Sequence, residues 1–128
     1  MKTLAIPEKI LTRKDAITAD FLRLYENHLN ELFTGKVKYR MSTSKFAEKL
    51  FMNHRHLTNT IKLTTGKSPC EWMENAIVEE AKRMLSETKL SIADIGMTFA
   101  YDEPTNFTKF FKGMTGSTPL QFRKGINN

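Results

Sequence analysis

The phrase TTGKSP at residues 64–69 returns as MTGSTP at residues 114–119, fifty positions later. The match runs upstream at the same offset, with His56-Leu57-Thr58-Asn59 facing Asn106-Phe107-Thr108-Lys109 and Thr60-Ile61-Lys62 facing Phe110-Phe111-Lys112. A chain that repeats itself in this way builds one supersecondary unit twice. Further back, SKFAEKL (44–50) stands opposite ADIGMTFAY (93–101), each preceded by a serine, Ser42 or Ser91, placed to cap a helix. One extra residue in the second turn keeps the halves in step. Each half reads as a short helix, a tight turn and a second helix that stops at Gly66 or Gly116, where a left-handed cap costs little. That is a helix-turn-helix, written twice.

The rest of the chain is helical as well, because no alternating strand pattern occurs and the four prolines fall between apolar groups. The expected fold class is all-α: two helix-turn-helix subdomains joined by a long linking helix. Residues 1–14 read as a flexible tail. From Asp15 to Phe33 the apolar set Ile17, Phe21, Leu24, Tyr25, Leu29, Leu32 and Phe33 recurs at helical spacing and ends at Thr34-Gly35. This helix and the first helix-turn-helix fill 15–66, the linking region 67–90, and the second unit with a closing helix 91–128. Ser68-Pro69-Cys70-Glu71 and Thr118-Pro119-Leu120-Gln121 each place a hydroxyl at the N-cap, proline at the first helical position and Glu or Gln at the third. The linking helix, Pro69 to about Ser86, would be ~27 Å long at the standard rise. The closing helix is expected to end near Lys124.

At 100° per residue, Leu57, Thr60, Ile61 and Thr64 fall on one side of the helix over 54–64, and Arg55, Thr58, Asn59 and Lys62 on the other. Over 104–114, Phe107, Phe110, Phe111 and Met114 should pack, leaving Thr105, Thr108, Lys109 and Lys112 outside. The outward sets are basic or hydrogen-bonding. No Asp or Glu occurs between Glu48 and Glu71, or after Glu103. The 128-residue chain carries a net charge of +6, which favours an acidic partner, nucleic acid ahead of an anionic membrane. A solvated face explains one such helix well; two copies on a repeated frame favour a binding role.

Enzymatic and metal chemistry find little support. His54 and His56 are two apart, so on a helix they point about 200° from each other and cannot share one metal ion. His28 has no neighbour that suggests chemistry. Cys70, the single cysteine, excludes an internal disulfide, fits a reducing compartment, and lacks a base or oxyanion loop nearby. Neither a P-loop nor a GxGxxG motif occurs, Asp102-Glu103 fits a helix start, and Trp72, Met73, Ala76 and Ile77 fit a core. No apolar run approaches the ~18 residues of a membrane span, and the N-terminus is too polar for a signal peptide. The expectation is a cytoplasmic protein without catalytic residues, cofactor, metal site or membrane partner.

The segment SIADIGMTFAYDEPTNFTKFFKGMTGSTPLQFRK, Ser91 to Lys124, resembles the signature region of the AraC/XylS family of bacterial transcription regulators, and the resemblance covers Ser42 to Lys124. It implies double-stranded DNA as partner, with the two second helices in successive major-groove segments. Carried over by position, the base-reading residues would be Arg55, Thr58 and Asn59 with Lys62 nearby, and Thr105, Thr108 and Lys109 with Lys112 nearby. Helix starts at Ser42, Ser68, Ser91 and Thr118 are similar to those that hold phosphates through backbone N–H groups. His54, His56, Lys67 and Asn106 flank the same faces and are expected at phosphates too. The chain departs from the family in having Ile77, Asn59 and Lys109 where arginine is common, Ile61 for phenylalanine, and Glu103 for a better-capping aspartate.

The linking helix would let one chain read an asymmetric site as a monomer, while a longer regulator would dimerise through a further domain. An activator would also touch RNA polymerase. Two rivals come from other classes: an alkyl-transfer repair protein, which needs a cysteine cluster, and a helical adaptor for acidic proteins or lipid, which would show no base preference.

Overall fold

The computed structural model describes residues 12–125 and contains seven helices and no strand among them. They are α1 (Arg13–Phe33), α2 (Thr43–Lys49), α3 (His54–Thr65), α4 (Pro69–Glu87), α5 (Ile92–Thr98), α6 (Pro104–Thr115) and α7 (Pro119–Arg123). Most of the expected tail lies outside the described residues. Arg13 and Lys14, read as tail, instead form the first turn of α1, because Thr12 Oγ1 accepts the Asp15 N–H at 3.0 Å and Asp15 returns a bond to the Thr12 N–H at 3.3 Å.

The chain divides into two compact units. One holds the described residues up to His28 together with Met41–Trp72; the other holds Leu29–Arg40 and the residues from Met73 onward. The division therefore falls inside α1, between Arg40 and Met41 in the loop before α2, and inside α4. Residues 29–40, placed by the sequence in the first unit, group with the second.

In the first unit α2 and α3 form the helix-turn-helix and α1 supplies its cover. Ile17, Phe21 and Tyr25 of α1 are buried with Phe46, Ala47, Leu57 and Ile61. Phe21 meets Phe46 edge-on at 5.3 Å, an arrangement that aromatic quadrupoles favour. Tyr25 packs edge-on against Trp72 and donates its hydroxyl to the Trp72 carbonyl at 3.0 Å. Burial, with Glu26 nearby, raises the pKa of that phenol and keeps it a donor. His28 is buried, and its Nε2 accepts the Met41 N–H at 3.0 Å, which fixes the chain where it enters α2.

The second unit is richer in aromatics. Phe99, Phe107 and Phe111 are fully buried, with Phe33 against Phe99 and Phe122 against Phe111 at 5.6 Å each. Gly96 permits this density: a Cβ there would lie 3.0 Å from Phe107 Cβ. Ile77, where the family's arginine would stand, is buried among apolar residues of α4. Polar bracing comes from Arg123 instead. Its Nε donates to the Leu85 carbonyl at 3.0 Å, Nη1 to Leu90 at 2.7 Å and Nη2 to Thr88 at 3.2 Å. One guanidinium thus satisfies the Leu85 carbonyl in the last turn of α4 and two carbonyls of the segment that follows it.

The repeated phrase owes its form to helix termination. Gly66 (φ 87°) and Gly116 (φ 88°) end α3 and α6 in the left-handed region, each N–H returning to the carbonyl of Lys62 or Lys112. The threonine before each glycine staples the exit. Thr65 Oγ1 donates to the Ile61 carbonyl at 2.7 Å and accepts the Lys67 N–H and the Trp72 indole N–H. Thr115 Oγ1 donates to Phe111 at 2.9 Å and accepts the Ser117 N–H. Both capping boxes form: Ser68 with Glu71, and Thr118 with Gln121.

Candidate nucleic-acid interface

The outward face of α3 begins at Asn53, whose side chain accepts the His56 N–H at 2.7 Å and starts the helix. Arg55, Asn59 and Lys62 are exposed along it and Thr58 is half-buried at its edge. On α6, Thr105, Lys109 and Lys112 are exposed and Thr108 is half-buried. The two units thus present the same pattern of exposure on equivalent positions. Among the described residues neither helix carries an acidic side chain, and α6 starts at Glu103, which makes no side-chain cap bond. Proline at the first position compensates by supplying helical φ without an orphan N–H.

Two inward assignments differ from expectation. Thr64 is exposed, its hydroxyl 2.6 Å from that of Thr18 and donating to the Thr60 carbonyl at 3.1 Å. Met114 is exposed, whereas Phe110, half-buried, packs as expected with its ring stacked on Tyr101 at 5.6 Å. Both Thr64 and Met114 sit in the last turn of their helices, where Thr64 takes a hydroxyl partner from α1 in place of an apolar contact.

The expected phosphate contacts fall into two kinds. His54, His56, Lys67 and Asn106 are exposed side chains, with Lys67 Nζ 5.5 Å from the Trp72 ring centre. Ser42, Ser68, Ser91 and Thr118 are N-caps whose hydroxyls accept the N–H of Lys45, Glu71, Asp94 and Gln121 at 3.0–3.2 Å. Their hydroxyls are committed to the helix ends. Glu71 lies near two of the cations: its carboxyl is held below its ordinary value of 4.5, first by the Ser68 N–H and also by Lys62 and Lys67.

Sequence reading missed Asn53, although an asparagine directly before HRHL is an N-cap signal. It also missed Arg40, whose guanidinium sits 4.1 Å over the ring of Tyr101 in the turn before α6. No local pattern marks that cation–π contact, because the partners are far apart in sequence. Among the described residues no group of three or more His, Cys, Asp or Glu side chains is arranged to hold a metal ion, and no helix is long and apolar enough to cross a membrane.

Comparison with known proteins gives this arrangement a family. A family model described as a helix-turn-helix domain matches residues 46–125. The chain is 26% identical over 125 residues to the arabinose operon regulatory protein of Escherichia coli, covering 94% of this chain and 42% of that protein. It spans less than half the length of these curated relatives, which include the Salmonella typhimurium arabinose regulator and an Msm operon regulatory protein of Streptococcus mutans. In fold it is similar to the C-terminal domain of the response regulator AraT from Geobacillus stearothermophilus, with a TM-score of 0.75, 24% identity and 91% of each chain covered. It is similar also to the DNA-binding domain of AdpA, a global transcriptional factor solved in complex with a target DNA, with a TM-score of 0.69, 19% identity, and 84% of this chain and 90% of that one covered. With the matched region covering more than half its length and both helix-turn-helix units, the chain belongs to the AraC-type helix-turn-helix family.

Proposed function

We propose that the chain is a sequence-specific, double-stranded DNA-binding transcription regulator, in which α3 and α6 read successive major-groove segments. The observation that carries this reading is the acid-free, exposed face built twice on one repeated frame: Arg55, Thr58, Asn59 and Lys62, then Thr105, Thr108, Lys109 and Lys112. Arginine is suited to guanine O6 and N7, asparagine to adenine N6 and N7, and threonine to a thymine methyl or a polar edge. Lysines serve phosphates or guanine, and His54, His56, Lys67, Asn106 and the N–H groups at Ser42, Ser68, Ser91 and Thr118 position the duplex without specifying it.

Two readers on one chain allow a monomer to recognise an asymmetric site, since major-groove visits on one face recur every ~34 Å. The linking role of α4, the cytoplasmic setting and a contact with RNA polymerase in activation belong to the same proposal. Cys70, exposed in the first turn of α4, has no thiol cluster beside it among the described residues, so alkyl transfer is not part of the reading.

The test is selection from a random duplex pool with the purified chain, followed by binding isotherms across salt on selected and scrambled DNA. A recovered consensus, bound far more tightly than scrambled duplex at each salt concentration, is the expected result. Equal affinity for every duplex would leave a nonspecific cationic binder, and no affinity for DNA would leave the adaptor reading.

A further inference from the structure

At one outward position the two readers differ in whether they carry a side chain at all. Leu63 of α3 and Gly113 of α6 are equivalents in the repeat, one helical turn beyond Asn59 and Lys109 respectively. Leu63 is 68% exposed, on a helix whose other apolar residues, Leu57 and Ile61, are fully buried. At 100° per residue it lies about 40° from Asn59, at the edge of the polar face. Gly113 is exposed too, and a Cβ built on it would have nothing within 4 Å outside its own helix. Packing in the first unit therefore does not require a leucine at this position. Packing in the second does not require a glycine, which is a poor helix former.

A single exposed leucine is ordinary on a protein surface. What distinguishes Leu63 is its setting: a twelve-residue helix without an acidic group, flanked by Asn59 and Lys62, with a repeat partner from which the side chain is deleted. The one apolar feature that a base pair presents in the major groove is the 5-methyl group of thymine. We propose that Leu63 is a further specificity-determining residue: it covers a thymine methyl beside the base pair met by Asn59, and Gly113 leaves the corresponding pair of the second segment unread. The proposal rests on the DNA-reading function above.

The experiment is a methyl-deletion scan of the selected site, in which each thymine is replaced singly by deoxyuridine, so that base pairing is kept and only the methyl is lost. Wild-type protein should lose about four-fold in affinity at one thymine, the factor equivalent to roughly 0.8 kcal/mol for one buried methyl-sized group. Leu63→Ala should bind the unmodified site weaker by a similar factor, be indifferent to deoxyuridine at that thymine, and keep its Tm. Gly113→Leu should gain a preference for thymine at one position of the second segment. Unchanged thymine sensitivity in Leu63→Ala, or a wild-type protein blind to every methyl, would overturn the inference while leaving the recovered consensus and the proposed function intact. Failure to recover any consensus would remove both.

Discussion

Phe51 and Ala100 share a left-handed backbone, φ 58° and 69°, at corresponding points of the two helix-turn-helix turns. Each follows the C-cap of the short helix, Leu50 or Phe99, and turns the chain toward the reading helix. Residues with a Cβ are strained in this region by about 1–2 kcal/mol. Phe51 is also 95% exposed, so it recovers little by packing. Phe51→Gly should therefore stabilise the protein by about 0.5–1 kcal/mol after glycine's greater unfolded-state entropy is subtracted. Urea unfolding, read against the wild type, checks this; a lowered midpoint would mean that the phenyl ring packs in solution.

Arg123 should matter more than its place near the chain end suggests. Arg123→Met keeps much of the aliphatic stem but abandons the carbonyls of Leu85, Thr88 and Leu90. A loss of about 1.5–3 kcal/mol is expected from charge-assisted hydrogen bonds of this kind. Arg123→Lys should recover only part of it, since an ammonium cannot fork to several carbonyls. Denaturant midpoints of the two variants decide the point.

Acid should loosen the start of α4 through Glu71. Its folded pKa lies below the ordinary 4.5, so its stabilising contribution is complete above that value and is lost as pH falls through the folded pKa. Glu71→Gln, which copies the Gln121 of the second unit, should retain the cap bond to the Ser68 N–H at every pH. Thermal melts between pH 7 and pH 3 should show the wild type losing stability relative to Glu71→Gln below about pH 4.5. Parallel curves for the two proteins would remove Glu71 as the cause.

On selected DNA the two kinds of contact should separate. Arg55→Ala should cost about 1–3 kcal/mol and relax preference at one base pair. Lys112→Ala should weaken binding to matched and scrambled duplex alike and reduce the slope of log K against log salt by about 1. Isotherms at several salt concentrations on both duplexes distinguish them.

Local signals made most of the fold legible. Gly66, Gly116 and the hydroxyl–proline starts at Ser68 and Thr118 announce helix ends through chemistry confined to a few neighbouring residues, and these boundaries appear where the pattern put them. The extra residue of the second turn was visible too, with four residues between α2 and α3 and five between α5 and α6. Contacts across long separations were not. His28 holding the Met41 N–H, Arg123 closing α4, and Arg40 on Tyr101 leave no periodic trace, because each polar side chain alone is ordinary and the backbone group or ring it meets is distant in sequence. The outward faces of the candidate site were legible because amphipathic periodicity fixes them, whereas the exposure of Thr64 and Met114 depends on which side chains of other elements reach the last turns of α3 and α6, which periodicity does not encode.

Among the described residues the threonine staples at Thr65 and Thr115 bind to backbone and to Trp72, not to the outward side chains. Exchanging Arg55, Asn59 or Lys109 therefore leaves the clasp at each helix exit untouched. On the proposed function, new target preferences are open to such a protein through point changes that folding does not register, so one scaffold can diversify its vocabulary while its grammar stays put.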